Sequence, residues 1–514
     1  MTQPHPRRWW ALGALAVSLL TVGLDLTVLN VAVPTLAVDL GATTTQLQWF
    51  GNAYTLALAA LLLPAGLLGD RFGPKKLLLG ALVVFGLASL GCAYAGSPGE
   101  LIAARVVLGV GAAFLIPLSL SLLNILFPPE ERAKALTTWV MAMFLGIPLG
   151  PLLGGWLLDH FAWGSVFLVN VPLTVVGVAA VLFLVPLTRG SGQGGIDFTG
   201  IALSAAGLVA LTYGFVNAGE HSWADPVTYG LIALGAALVA VFCRTQTRVA
   251  APLTDLALFR EPRFVWGAVL ATMASFALMG LLFVLPQLFQ AVQGADALQT
   301  GVRLLPLIGG MLVAAKIAER LVAVLGVRWV VTGGFVLLAA GLAWGSATSP
   351  SDGYGATAGW ETVVGLGTGC TLPPLMTMAM GALTEGRSGA GSALIQVLRQ
   401  VGGTIGVAVL GTVLNGVYRD GVAVDGLPAP VADAVRGSAS AAVDVAAKLH
   451  LPALAGSARA AFTDGMAATL WVCAGLGVAA AALALLFLSA AEFPPGRDPA
   501  GAQPRESEHD VVAI

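Results

Sequence analysis

Eight residues between two long apolar runs constrain this chain most: Gly69, Asp70, Arg71, Phe72, Gly73, Pro74, Lys75 and Lys76. Neither Phe50 to Leu68 upstream nor Leu77 to Pro98 downstream carries a charge. Each run is about twenty residues long, enough to cross roughly 30 Å of hydrocarbon as a helix. The cluster is therefore expected as a short cytoplasmic loop between two membrane spans. Gly73 and Pro74 supply its turn, and Arg71, Lys75 and Lys76 mark the cytoplasmic side. Asp70, one acid among three bases at a helix end, needs a partner.

Composition agrees with this reading of the runs. The chain is 57% hydrophobic and 10% charged, with a mean hydropathy of +0.87, whereas soluble domains carry about a quarter charged residues. Apolar runs of this length mark helices, because barrel strands alternate. The formal charge of −2 leaves no basic surface for nucleic acid. Cys92, Cys243, Cys370 and Cys473 all fall in apolar spans, so neither a disulfide nor a metal site is expected. The five histidines lie in loops or tails, which leaves carboxylates to carry any proton through the bilayer. No metal cluster, nucleophile triad or phosphate loop appears between the spans, so an enzyme is not expected.

Spans are expected at 10–36, 48–68, 77–96, 100–126, 135–158 and 165–187, then 199–218 and 227–243, then 264–289, 299–315, 329–346, 355–382, 389–416 and 464–488. The first is too long for a cleaved signal peptide. The expected architecture is all-α: a six-helix bundle over 1–187, two added spans with linkers over 188–263, and a second six-helix bundle over 264–490. A long external loop, 417–463, forms one or two short helices, and 491–514 is a disordered cytoplasmic tail. Of 25 Lys and Arg, 18 fall on the side of the N-terminus and none in a short loop opposite. Both termini are thus placed in the cytoplasm. Lys316, Glu319, Arg320, Gly326 and Arg328 form a degenerate second copy of the Gly69–Lys76 loop.

Among the charges inside the expected spans, four stand out. Asp25 lies in the outer half of the first, where a carboxylate costs about 3 kcal/mol to insert and so suggests function. Arg105 enters the fourth span from the external side at a compatible depth; it either pairs with Asp25 or snorkels to the interface. Glu361 sits beside Trp360 near the external end of span twelve, as an interfacial group or a substrate contact. Arg399, near mid-depth in span thirteen, either steers an anionic substrate or holds Glu361. In the fifth span Gly146, Gly150 and Gly154 recur every four residues as a bare stripe, followed by Gly155, while Pro148 and Pro151 bend the helix.

The pattern Gly-Asp-Arg-x-Gly-x-Lys-Lys at 69–76 resembles the loop signature of the major facilitator superfamily, and Arg105-x-x-x-Gly109-x-Gly111 resembles its fourth-helix signature. Gly146-x-x-x-Gly150-Pro151-x-x-Gly154-Gly155 is similar to the antiporter signature of the drug exporters. Pro252-Leu-Thr-Asp255, Leu285-Pro286-Gln287 and Arg399-Gln400-Val-Gly402-Gly403 narrow the resemblance to the fourteen-helix drug:proton antiporters. It implies proton-driven efflux of hydrophobic or cationic drugs by a monomer in the cytoplasmic membrane, without a cofactor. Coupling would rest on Asp25 and Arg105, and gating on Gly69, Asp70, Arg71, Gly73, Lys75 and Lys76. Export of an endogenous metabolite or a self-made antibiotic fits the same motifs, and nutrient symport fits them less well.

Overall fold

A computed structural model describes residues 7–187, 197–220, 223–249, 253, 256–383, 388–424 and 426–488. Among these the chain is all-helical. The first spans are α1 (Arg8–Asp39), α2 (Thr44–Phe72), α3 (Pro74–Ala93), α4 (Pro98–Leu126) and α5 (Pro129–His160); a sixth is broken into α6 (Ser165–Leu168) and α7 (Asn170–Leu184). The hairpin of α8 (Phe198–Glu220) and α9 (Pro226–Gln246) follows. Then come α10 (Pro262–Gln287), short α11 (Ala297–Arg303), α12 (Leu305–Leu325), α13 (Val327–Gly345), α14 (Tyr354–Gly381) and α15 (Ser388–Gly421). The short helices α16 (Ala429–Gly437) and α17 (Ala439–Leu449) precede the long α18 (Pro452–Phe487).

Among the described residues, 13 helices are long and apolar enough to cross a membrane, and the protein is a multi-pass membrane protein. The fourteenth long helix, α12, departs from the sequence expectation. A span over 299–315 followed by a charged loop is replaced by α11, a break at Leu304, and a helix that runs on to Leu325. Lys316, Glu319 and Arg320 therefore ride on the final turns of α12. Lys316 and Arg320 are exposed there, so their long stems can lie along apolar surface while the charges reach water.

The Gly69–Lys76 loop is also mostly helix. Asp70 and Arg71 belong to the last turn of α2, Lys75 and Lys76 to the first turn of α3, and Gly73 alone makes the turn at φ 96°. Gly326 makes the same one-residue turn between α12 and α13 at φ 84°. A side chain is strained at such φ values, which explains glycine at both points. Over 417–463, α15 continues to Gly421 and α16 and α17 form the two surface helices; Tyr418 donates to the Val435 carbonyl at 2.8 Å. The expected linker loop at 188–198, save its last two residues, and the tail over 491–514 lie outside the described residues.

A deeper repeat joins α4 to α14. Arg105, Gly109, Gly111 and Pro117 have the same spacing as Glu361, Gly365, Gly367 and Pro373. Packing follows the spacing: Gly109 lies against Tyr54 of α2 and Gly365 against Leu307 of α12, while Gly111 meets Phe85 of α3 and Gly367 meets Leu338 of α13. Likewise Gly146 and Gly150 of α5 sit on the Leu20 and Leu24 carbonyls of α1, as Gly402 and Gly406 of α15 sit on those of Thr272 and Phe276 of α10. Small residues let backbones approach where lipid offers no hydrophobic drive for helix association.

Candidate functional site

Asp25 and Arg105 meet. Arg105 Nη1 donates to Asp25 Oδ2 at 2.7 Å, and the two side chains are 2% and 0% exposed. Three residues that the sequence reading did not single out complete the site. Arg105 Nε donates to the Phe50 carbonyl at 2.8 Å, the guanidinium lies 4.6 Å from the centre of the Tyr54 ring, and Asn170 Nδ2 reaches Asp25 Oδ1 at 3.5 Å. Arg105 therefore points into the bundle and does not snorkel. Asn170, a buried amide opening an apolar helix, carried the one signal that could have flagged it. The Tyr54 hydroxyl and Asn170 Oδ1 are buried without a partner among the described residues, leaving one donor and one acceptor beside the ion pair. Such a pair holds only while its geometry lasts, since either charge alone in a low-dielectric interior is far costlier.

The glycine stripe of α5 backs this pair. A Cβ at Gly146 would lie 2.7 Å from Leu24 N, one at Gly150 2.9 Å from Val28 N, and one at Gly154 2.9 Å from Val28 Cγ2. Thr27 donates to the Ile147 carbonyl at 3.0 Å. The stripe thus fixes α1, and Asp25 with it, against α5. Gly155 faces elsewhere, toward Ala297 and Leu298 of α11, and Gly301 of α11 packs on the Pro148 carbonyl and Leu152.

At the opposite end of α2, Asp70 joins distant parts of the chain. Its Oδ1 and Oδ2 accept from the backbone N–H groups of Gly389 and Ala390, at 2.9 and 3.0 Å. Asp70 therefore caps the N-terminus of α15, where unpaired N–H groups and the helix dipole favour an anion. Gly66, one turn earlier, lies against Gly389 and Ala393. Gly69 closes on Leu118 of α4, and Arg71 stacks over Phe72 at 5.6 Å. Lys75 takes another place: buried, it donates to the Leu182 and Val185 carbonyls at 2.9 and 2.6 Å, which caps the C-terminus of α7. Lys76 is exposed.

The remaining two charges stay apart. Arg399 bonds Ser275 Oγ at 3.1 Å, Gln396 Oε1 at 3.0 Å and Met376 Sδ at 3.3 Å. Met376 is fifteen residues along α14 from Glu361, about 22 Å at 1.5 Å per residue, so Arg399 does not hold Glu361. Glu361 is fully buried, and neither of its oxygens has a partner among the described residues. By the repeat it occupies the slot of Arg105, while the position matching Asp25 is Ala277 of α10, so the second ion pair has no partner to form with.

Comparison with known proteins places this architecture. The profile of the Major Facilitator Superfamily matches residues 15–407. The chain belongs to that superfamily. It is 32% identical to the tetracenomycin C resistance and export protein of Streptomyces glaucescens, over 93% of this chain and 91% of that one. It is 33% identical to the multidrug efflux pump LfrA of Mycolicibacterium smegmatis, over 94% of this chain and 96% of the other. Among solved structures, the human organic anion transporter MFSD10 (TETRAN) shares the fold, with a TM-score of 0.63 at 14% identity, covering 94% of this chain and 100% of its own.

Proposed function

We propose that this protein expels hydrophobic, often cationic, drugs or antibiotics across the cytoplasmic membrane in exchange for protons, by alternating access. The observation that carries the reading is the sealed Asp25–Arg105 pair, seated on the α1–α5 glycine stripe. When the bundles rock, the carboxylate loses its guanidinium and takes a proton rather than stand charged in hydrocarbon; the return stroke restores the pair and releases the proton. Two six-helix bundles, over 1–187 and 264–490, do the rocking, with both termini in the cytoplasm and the monomer as the working unit. Asp70 on α15 latches the cytoplasmic side, and the α5–α11 contact closes the external side.

The driving force suffices. One proton crossing 100 mV releases about 2.3 kcal/mol and each pH unit adds about 1.4 kcal/mol. Together these sustain a gradient of several hundredfold for a neutral substrate. Likeness to a protein named for tetracenomycin C resistance and export supports antibiotics as cargo. Expression in an efflux-deficient bacterium should raise the inhibitory concentrations of hydrophobic antibiotics and cationic dyes at least fourfold, and a protonophore should remove the gain. An unchanged susceptibility panel, or resistance indifferent to the protonophore, would count against the proposal.

A further inference from the structure

A buried cation needs an anion, and among the described residues Arg399 has none. Its guanidinium bonds only neutral acceptors, Ser275 Oγ, Gln396 Oε1 and Met376 Sδ, and among the described residues no carboxylate pairs with it. The residue is 8% exposed and Gln396 6%, so bulk water does not screen the charge. Gln396 adds to the imbalance. Its carbonyl oxygen is committed to Arg399, which turns the amide nitrogen away, and that nitrogen is buried without an acceptor among the described residues. Two neighbouring side chains one turn apart on α15 thus hold an unpartnered amide donor and a positive charge that no carboxylate among the described residues balances.

Packing does not call for a cation here. Arg399 precedes Gly402 by three residues, and in the matching α5 stripe the residue three before Gly146 is Met143. The helix that carries Arg399 packs on α2 and α4, as well as on α10 and α14 of its own bundle, so the spare donors lie on an element at the seam between bundles. We propose that Arg399 and Gln396 form a subsite for a transported molecule's anionic group, a carboxylate, phenolate or enolate, which the planar guanidinium and the amide together can bind in a fixed geometry. This rests on the export reading above and adds a substrate class to it: hydrophobic compounds bearing an acidic group beside those bearing a cation.

The test uses the full-length protein in phosphatidylcholine liposomes under an imposed pH gradient, with initial rates measured for fluorescein, which carries a carboxylate and a phenolate, and for ethidium. Arg399→Gln should lower the fluorescein-to-ethidium rate ratio at least tenfold, Gln396→Leu about threefold, and Arg399→Lys should keep an intermediate ratio. Wild-type protein that moves ethidium but not fluorescein, or a ratio unchanged in Arg399→Gln, overturns the subsite alone. Wild-type protein that moves neither dye overturns the export reading and the subsite with it. If Arg399→Gln does not assemble, the Lys and Leu variants decide by the same ratio. A ratio change confined to liposomes containing phosphatidylglycerol would assign the guanidinium to a lipid headgroup and likewise refute the proposal.

Discussion

Replacing Asp70 with Asn should open the face proposed above as cytoplasmic. The carboxylate accepts two backbone N–H bonds from the first turn of α15, at 2.9 and 3.0 Å. Hydrogen bonds to a charged group contribute about 1.5–3 kcal/mol each, and an anion at a helix N-terminus about 0.3–1 kcal/mol. Asparagine keeps one acceptor oxygen and turns an NH2 group toward the second N–H, so a net loss of about 2–3 kcal/mol is expected. At 1.4 kcal/mol per decade this shifts the closed-to-open ratio of that face by about 30–150-fold. Ala393 reports it, because it is fully buried beside Gly66 at this contact. In a background with the four native cysteines replaced, a cysteine at position 393 should react with a membrane-permeant maleimide faster by that factor when Asp70 is Asn. Equal labelling rates would refute the latch, and Asp70 would then be only a helix cap.

Two further outcomes follow from the packing. Gly150→Ala drives a Cβ to 2.9 Å from Val28 N and 3.0 Å from Leu24 O, so the purified protein should lose about 1–3 kcal/mol of stability. Gly80→Ala, which meets nothing within 4 Å, should be neutral or stabilising in the same thermal-unfolding assay; equal effects would deny the stripe its role. Glu361→Gln removes a carboxyl that has no partner to lose, so its thermal stability should match or exceed that of the wild type, whereas Arg105→Gln, which strands Asp25, should cost about 3–5 kcal/mol. Comparable losses in the two variants would contradict the asymmetry between bundles.

Much of this architecture was legible because hydrocarbon enforces it: uncharged runs of about twenty residues can be little else than helices, and a carboxylate among them stands out. Depth made the Asp25–Arg105 pair one of two readings, since both residues fall within a few ångströms of one level, but a snorkelling arginine fitted that depth equally well until the 2.7 Å contact decided between them. What sequence could not supply was direction. Arg399 and Glu361 are neighbours in a list of membrane charges but lie about 22 Å apart along the bundle. Lys75 reads as one more loop charge, yet it is buried on the carbonyls that end α7. The charged end of α12 looks like a loop because composition does not record that Lys316 and Arg320 can point outward from a continuing helix. The α4–α14 repeat was in the sequence as Gly-x-Gly and a proline at fixed distance from a charge. An arginine facing a glutamate across the alignment hid it.

The most direct test of the account is proton movement in inside-out vesicles made with Asp25→Asn protein. Asparagine keeps the shape and a hydrogen bond to Arg105 but cannot gain or lose a net proton. Adding a transported dye to energised wild-type vesicles should draw protons out of the lumen, read as recovery of a pH-sensitive fluorophore, and Asp25→Asn should abolish that recovery even where the dye still binds. An Asn variant that moves protons at the wild-type rate on dye addition would contradict the role of the Asp25–Arg105 pair.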